Sequence, residues 1–376
     1  MNNDLIARLR PLLNTAELEL TAEGGVVAHR IPRWARDQIS DPFLAMASSQ
    51  PSGTIMRFVT DSSVVRLRVS SSAGQLIGLP APTPTLVVRA GGTEEVRPLA
   101  AAISWMDPRT GTIEEGDAPP EEIVLRPTPG VPMSVLLPQD GMIEFMEVHA
   151  EHPLRPVNDS RPIWLHYGSS ISHCANADSP ATTWPMQIAD RMEWNLLSLG
   201  LSGQAQLDPA VGRLISDTPA DLITLKVGIN IVGAGSMGVR TFRPAVEGFL
   251  DRIREGHPRT PILVISAVSC PMLEDATGPT SIAGSRFLVP PARHADPGAL
   301  TLQKSREILA AVVQRRMRED PFLTYLDGRD LFGPDDAGLL PDDLHPNQEG
   351  MDLIAEKFTG LLAQGRLSHI KPRTPL

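Results

Sequence analysis

From Thr54 to about Val148, apolar and polar residues alternate in short runs, TIMRFVT, SVVRLRVSS, TLVVRA, EEIVLRP, MSVLLP and MIEFMEV, separated by Gly, Pro, Asp and Ser clusters. A period of two puts one face of a strand on a core and the other in water. Helical period is weak here, and the prolines of LPAPTPT and RPTPGVP suit loops or edge strands. The segment therefore predicts an antiparallel, jelly-roll-like β-sandwich.

Beyond Pro162 the pattern changes. Continuous apolar runs of strand length, IWLHYG, WNLLSLGL, DLITLKVG, PILVISAV and FLTYLDG, alternate with longer segments of helical period. Those segments are TTWPMQIADRM, LDPAVGRLIS, FRPAVEGFLDRIREG, LTLQKSREILAAVVQRRMRED and NQEGMDLIAEKFTGLLAQ. Strands buried on both faces lose their alternation, so this order predicts a parallel α/β sheet with helices on both faces. Between the two patterns, EHPLRPVNDSRP (Glu151 to Pro162) replaces the strand pattern with prolines and polar residues and is the expected linker. The chain thus reads as a β-sandwich over residues 1–158 followed by an α/β domain over residues 159–376.

At 376 residues and 41% hydrophobic content, both domains have enough material for a core. Thirty-four Lys and Arg against 44 Asp and Glu give a net charge of −10, with no window rich in Lys and Arg, which argues against nucleic-acid and acidic-membrane partners. The N-terminus scatters acids and arginines through its apolar positions, and no later stretch approaches the length of a membrane span, so a cytoplasmic protein is expected. Cys174 and Cys270 are too few for a disulfide framework or a four-ligand zinc site. No cofactor and no metal are expected, although His166, His173 and Cys174 bracket one strand end. His166 reads as a hydrogen-bonded core residue, and His173 as a candidate wall of a pocket.

In parallel α/β sheets the ligand lies beyond the carboxyl ends of the strands. Those ends carry YGSSIS, LGLSGQAQ, KVGIN and SAVSCP, and the segment after the fifth strand leads to PDDLHPN. Ser, Gly, Asn and Asp with His are what acyl transfer from an ester needs. A serine hydroxyl requires a base, a histidine base requires a carboxylate, and the tetrahedral oxyanion requires convergent donors. Gly203, Asn230 and the Ser170 backbone N–H are candidate donors.

The blocks GSSIS, LSGQ, GIN and DDLH, in that order over roughly residues 159 to 365, resemble the SGNH or GDSL-type esterases and lipases. The resemblance implies an SGNH-hydrolase-like (flavodoxin-like) fold and a serine esterase acting through an acyl-serine. It also implies Ser170 as nucleophile, Gly203 and Asn230 with the Ser170 amide as the oxyanion hole, His345 as general base and Asp342 as its carboxylate. Ser169 is then left to the turn. Two positions depart from the family: Ser169 where Asp is usual, and Ile231 where Asp often follows the Asn. A preceding β-sandwich is similar to that of some acetyl-carbohydrate esterases and acyl-processing enzymes of natural-product pathways.

A carboxylate three residues before an imidazole can fold back onto Nδ1 in a tight turn, and Asn347 can cap the final helix. Asp343 is the competing carboxylate. The long connection from Met272 to Pro297 is expected to overhang the site and to select the acyl or alcohol group. Cys270, at the fourth strand end, reads as pocket wall rather than nucleophile. Hydrolysis and acyl transfer use the same residues and stay open, as does a catalytically silent ligand-binding protein. A phosphate-binding protein would need a glycine-rich loop after the first strand, which is absent. The partner expected is a small-molecule ester, while the role of the β domain stays open between sugar binding, covering the site and forming a homo-oligomer.

Overall fold

The computed structural model describes residues 2–77, 81–107, 110, 112–289, 298–367 and 370. The chain divides into two compact units: Met1–Arg33, Ala45–Ser160 and Ala177–Ala181 form the first, and Trp34–Leu44, Arg161–Asn176 and Thr182–Leu376 the second. Both Trp34–Leu44 and Ala177–Ala181 therefore leave the unit that their position in the sequence suggests.

The first unit is rich in strand. One sheet runs Glu17–Leu20, Val26–His29, Met142–Ala150, Val65–Leu76, Ala101–Met106, Ile113–Glu114, with Glu121–Leu125 also paired to Val65–Leu76. The other runs Arg155–Pro156, Ile55–Val59, Met133–Leu136, Thr85–Ala90, Thr93–Pro98. Inward residues of both sheets, Leu67, Val69 and Phe145 from one and Phe58, Val88 and Val135 from the other, share a single core. Each alternating run of the sequence is a strand. One pairing departs from the antiparallel expectation: Val65–Leu76 and Ala101–Met106 are parallel, Ser71 opposite Ala101 through Leu76 opposite Met106. The cause is topological, since the chain between them builds a hairpin in the other sheet before returning. The expected linker also contributes a short strand, Arg155–Pro156, on Ile55–Val59.

The second unit is a parallel sheet of β1 (Ile163–Gly168), β2 (Asn195–Gly200), β3 (Leu222–Lys226), β4 (Ile262–Ile265) and β5 (Leu323–Leu326) in the order β2-β1-β3-β4-β5. β3 and β4 are buried at every position, the reason their sequences do not alternate. Besides Arg33–Ile39, which falls almost wholly in this unit, the α-helices are α1 (Ser170–His173), α2 (Trp184–Met192), α3 (Pro209–Asp217), α4 (Ile229–Ala234), α5 (Val239–Gly256), α6 (Leu302–Arg316) and α7 (Gln348–Ala363). α5 buries Phe242, Val246, Phe249, Leu250 and Ile253, the single stripe of a 3.6-residue period. Asn347 caps α7, its Oδ1 accepting from the Gly350 N–H at 3.0 Å. Because β1 is flanked by β2 and β3, the connections leaving its carboxyl end and that of β3 diverge there, opening a crevice at the topological switch point. Among the described residues no helix is long and apolar enough to cross a membrane.

Candidate active site

The turn from β1 into α1 is made by small residues for steric reasons. A Cβ on Gly168 would strike the Ser172 side chain, and one on Gly200 would strike the backbone at Ser172 and His173. Ser169 caps α1, its Oγ accepting from the Ile171 N–H at 3.2 Å while its carbonyl accepts from Ser172 and His173. Ser169 is 1% exposed. Its hydroxyl is committed to the turn, which leaves Ser170 as the first residue of α1 with its side chain on the crevice.

The other half comes from the loop before α7. Asp342 Oδ1 accepts from the N–H groups of Leu344 (3.0 Å) and His345 (2.6 Å), and Oδ2 lies 2.7 Å from His345 Nδ1. Burial opposes the charge on Asp342, but the hydrogen bond and charge of His345 and the two backbone N–H groups outweigh it, and its pKa falls below the ordinary value. With Nδ1–H donating to Asp342, His345 Nε2 is the acceptor, and it lies 2.8 Å from Ser170 Oγ. Asp343 takes no part in this: its φ of 69° turns it away, to within 3.4 Å of Arg286.

Ser170 and His345 open on a cavity of about 500 Å³ that Ser202, Gly203, Ile229, Asn230, Leu273 and Phe287 help to wall. Asn230 is fixed in orientation, because its Oδ1 accepts from the Ala205 N–H at 3.1 Å, which leaves the Nδ2 donor for the cavity. Gly203 has φ +70°, a left-handed conformation that favours glycine, with nothing within 4 Å of where a Cβ would stand. Its carbonyl and that of Asn230 both accept from Gln206 Nε2 at 3.2 Å. Gln206 thereby holds the β2 and β3 strand ends together. The sequence reading missed it, although it ends the LSGQAQ block that carries Gly203.

Arg306 was missed as well. It is 4% exposed, donates to the carbonyls of Ala267 (2.9 Å) and Val268 (2.8 Å), and pairs with Glu274 at 2.6 Å, bracing the β4 strand end from α6. Nothing in the sequence near Arg306 signals this, since its partners lie more than thirty residues away.

Beneath the β1–α1 turn lies a buried polar layer. His166 Nδ1 lies 2.6 Å from Thr224 Oγ1 and Nε2 lies 2.8 Å from Ser172 Oγ, while Trp164 Nε1 donates to the same Thr224 oxygen at 2.9 Å. Burial, with the nearby charge of Lys226, lowers the His166 pKa to about 3, so this imidazole is neutral. His173 is fully buried, its Nδ1 3.0 Å from the Gly200 carbonyl, and is no part of the cavity wall it was expected to line. Trp184 and Met186 are buried, with Trp184 Nε1 donating to the Ile171 carbonyl at 2.7 Å. Burial pushes the thiols of Cys174 and Cys270 up to about 12, so neither supplies a thiolate at neutral pH. Lys226 is 2% exposed, and its Nζ has no hydrogen-bond partner among the described residues. Burial lowers its pKa to about 8. Also among the described residues, no group of three or more His, Cys, Asp or Glu side chains is placed to hold a metal ion.

A model of the GDSL-like Lipase/Acylhydrolase family matches residues 166–353, which begins within β1 and takes in Ser170, the Asn230 turn and the Asp342–His345 loop. The chain belongs to the GDSL-like lipase/acylhydrolase family. It is accordingly an enzyme of the serine-hydrolase class. A solved structure described as the salicylyl-acyltransferase SsfX3 from a tetracycline biosynthetic pathway is 27% identical, with a TM-score of 0.77, over 96% of this chain and 97% of that one. A putative GDSL-like lipase from Bacteroides ovatus is 19% identical at a TM-score of 0.60, over 92% and 93% of the two chains. A family two carbohydrate esterase from Clostridium thermocellum, solved with cellohexaose, is 13% identical at 0.53, over 84% and 92%. These last two show the fold alone. Comparison with curated protein sequences gives no match.

Proposed function

We propose that this family member is a serine esterase that processes a small or medium acyl ester through an acyl-serine intermediate. The observation that carries the reading is the continuous contact from Asp342 through His345 to the Ser170 hydroxyl, 2.7 Å and then 2.8 Å. Asp342 holds the imidazole with Nδ1 protonated, so Nε2 takes the Ser170 proton as Oγ attacks the ester carbonyl. The oxyanion that forms is met by the Ser170 N–H at the start of α1, the Gly203 N–H and Asn230 Nδ2, donors already fixed by the turn, by Gln206 and by Ala205. His345 next protonates the leaving alcohol, and water or a second alcohol then releases the acyl group by the same route in reverse.

A second reading, transfer to an alcohol rather than hydrolysis, is favoured by one observation: the similarity to a salicylyl-acyltransferase runs along nearly the whole of both chains. On the same ground, natural-product esters rank ahead of carbohydrate esters as substrates. The first unit is read as jelly-roll-like, and the protein as cytoplasmic, on sequence pattern.

Nitrophenyl esters of increasing acyl length test the chemistry. Wild-type protein should release nitrophenol with turnover, and Ser170→Ala should lose at least ~10⁴-fold in kcat/KM. Unchanged turnover in Ser170→Ala would remove Ser170 from the mechanism. Product analysis with added alcohol then separates the two readings, free acid marking hydrolysis and a new ester marking transfer.

A further inference from the structure

The connection after β4 holds a small hairpin, Ser281–Ala283 paired with Arg286–Leu288; residues 290–297 of the expected overhanging segment lie outside the described residues. The hairpin is tied to the loop that carries the base. Phe287 N–H donates to the Asp342 carbonyl at 3.0 Å, and Arg286 lies 3.4 Å from the Asp343 carboxylate. The Phe287 ring meets the His345 imidazole edge-on, with centroids 5.3 Å apart.

Phe287 stands between two spaces. On one side it lines the cavity of Ser170 and His345. On the other it lines a second cavity of about 420 Å³, walled further by Pro271, Met272, Leu288, Val289, Leu340 and Asp343. That volume is in the range of small-molecule sites. Its walls are mostly apolar, and its carboxylate, Asp343, is already engaged by Arg286.

We propose that this second cavity is the subsite for the alcohol half of the ester, that it takes an uncharged alcohol with an apolar body, and that Phe287 is the specificity-determining wall. The inference rests on Ser170 and His345 acting as nucleophile and base. His345 Nε2 must reach the alcohol oxygen in both half-reactions, so the body of the alcohol lies beside the imidazole. The acyl carbonyl is held on the opposite side, towards Gly203 and Asn230. Phe287 is the residue that both touches the imidazole and opens on a cavity able to hold a body of that kind. In the second half-reaction, an alcohol seated there gives its proton to Nε2 as its oxygen bonds the acyl carbon. The Ser170 Oγ–carbon bond then breaks, and Oγ recovers the proton.

The test is protection of Ser170 from a fluorophosphonate by naphthylethanol or by ethanol, read by intact mass in wild type, Ala337→Trp and Met272→Trp. Ala337 and Met272 both line the second cavity, and two separate fillings guard against one variant failing to fold. Each variant is referred to its own unprotected labelling rate. Naphthylethanol should protect the wild type at concentrations at least about tenfold below those of ethanol, and each tryptophan should raise the concentration needed about tenfold or more. Equal protection in all three proteins, or naphthylethanol no better than ethanol in the wild type, overturns the subsite while leaving the serine chemistry standing. A wild type that takes no label at all overturns both.

Discussion

Two serine–histidine pairs lie in the α/β unit with the same 2.8 Å separation, Ser170 with His345 at the crevice and Ser172 with His166 beneath it. Both serines belong to α1. Behind the first imidazole stands the Asp342 carboxylate, and behind the second the Thr224 hydroxyl, 2.6 Å away and already accepting a hydrogen bond from Trp164. His345 and Asp342 are each 19% exposed, while His166, Ser172 and Thr224 are fully buried. A serine–histidine distance therefore does not make a nucleophile. A negative charge to stabilise the imidazolium and an open face for substrate do, and only the upper pair has both. The lower pair fixes α1 from below.

Exchanging the backing groups sharpens the contrast most. Asp342→Asn leaves a hydrogen bond but removes the charge and favours the wrong tautomer, and should lower kcat/KM by roughly 10³- to 10⁴-fold with little change in thermal stability. Steady-state kinetics beside a melting curve reads both quantities. An intact rate would mean that Asp342 only shapes its loop. Asn230→Ala removes the proposed oxyanion donor and the Ala205 anchor together, and a loss of about 10²- to 10³-fold, mainly in kcat, is expected.

Changes in the lower layer should reverse the pattern, moving stability rather than rate. Lys226, buried without a hydrogen-bond partner, has its pKa lowered from 10.5 to about 8. The unfolded chain thus binds more protons than the folded one between those values. The amine destabilises the fold by about 3 kcal/mol at neutral pH, and the penalty fades as pH rises through that window. Lys226→Met should melt higher than wild type at pH 7, with the gap closing towards pH 10. A gap that does not change with pH would show that the Lys226 pKa is the same in the folded and unfolded chain, and so that burial does not shift it. The smallest effect is expected for Thr224→Val, which takes hydroxyl partners from Trp164 and His166 and should cost about 1–3 kcal/mol in stability.

The same contrast explains what the sequence could say. The five apolar runs, their order with the helices and the four blocks are local patterns: Ser170, Gly203 and Asn230 follow the ends of β1, β2 and β3, and Asp342 and His345 stand in the loop before α7. Even the choice between Ser169 and Ser170 has a local cause, since a residue before a helix turns its oxygen back onto the helix N–H groups. The supporting groups were not legible because their meaning depends on distant partners. Lys226 hides in the apolar run DLITLKVG, and Phe287 gains its meaning only where the hairpin meets the His345 loop. In the first unit, alternation marked the longer strands but not short ones such as Val26–His29, buried throughout, nor the parallel pairing of Val65–Leu76 with Ala101–Met106.

The most direct measurement is intact-mass analysis of wild type, Ser170→Ala and Ser172→Ala after exposure to a fluorophosphonate. A single adduct on wild type and Ser172→Ala, absent from Ser170→Ala, is the result expected of one activated serine at the crevice. An adduct that survives in Ser170→Ala, or that disappears only in Ser172→Ala, would contradict the distinction drawn between the two pairs.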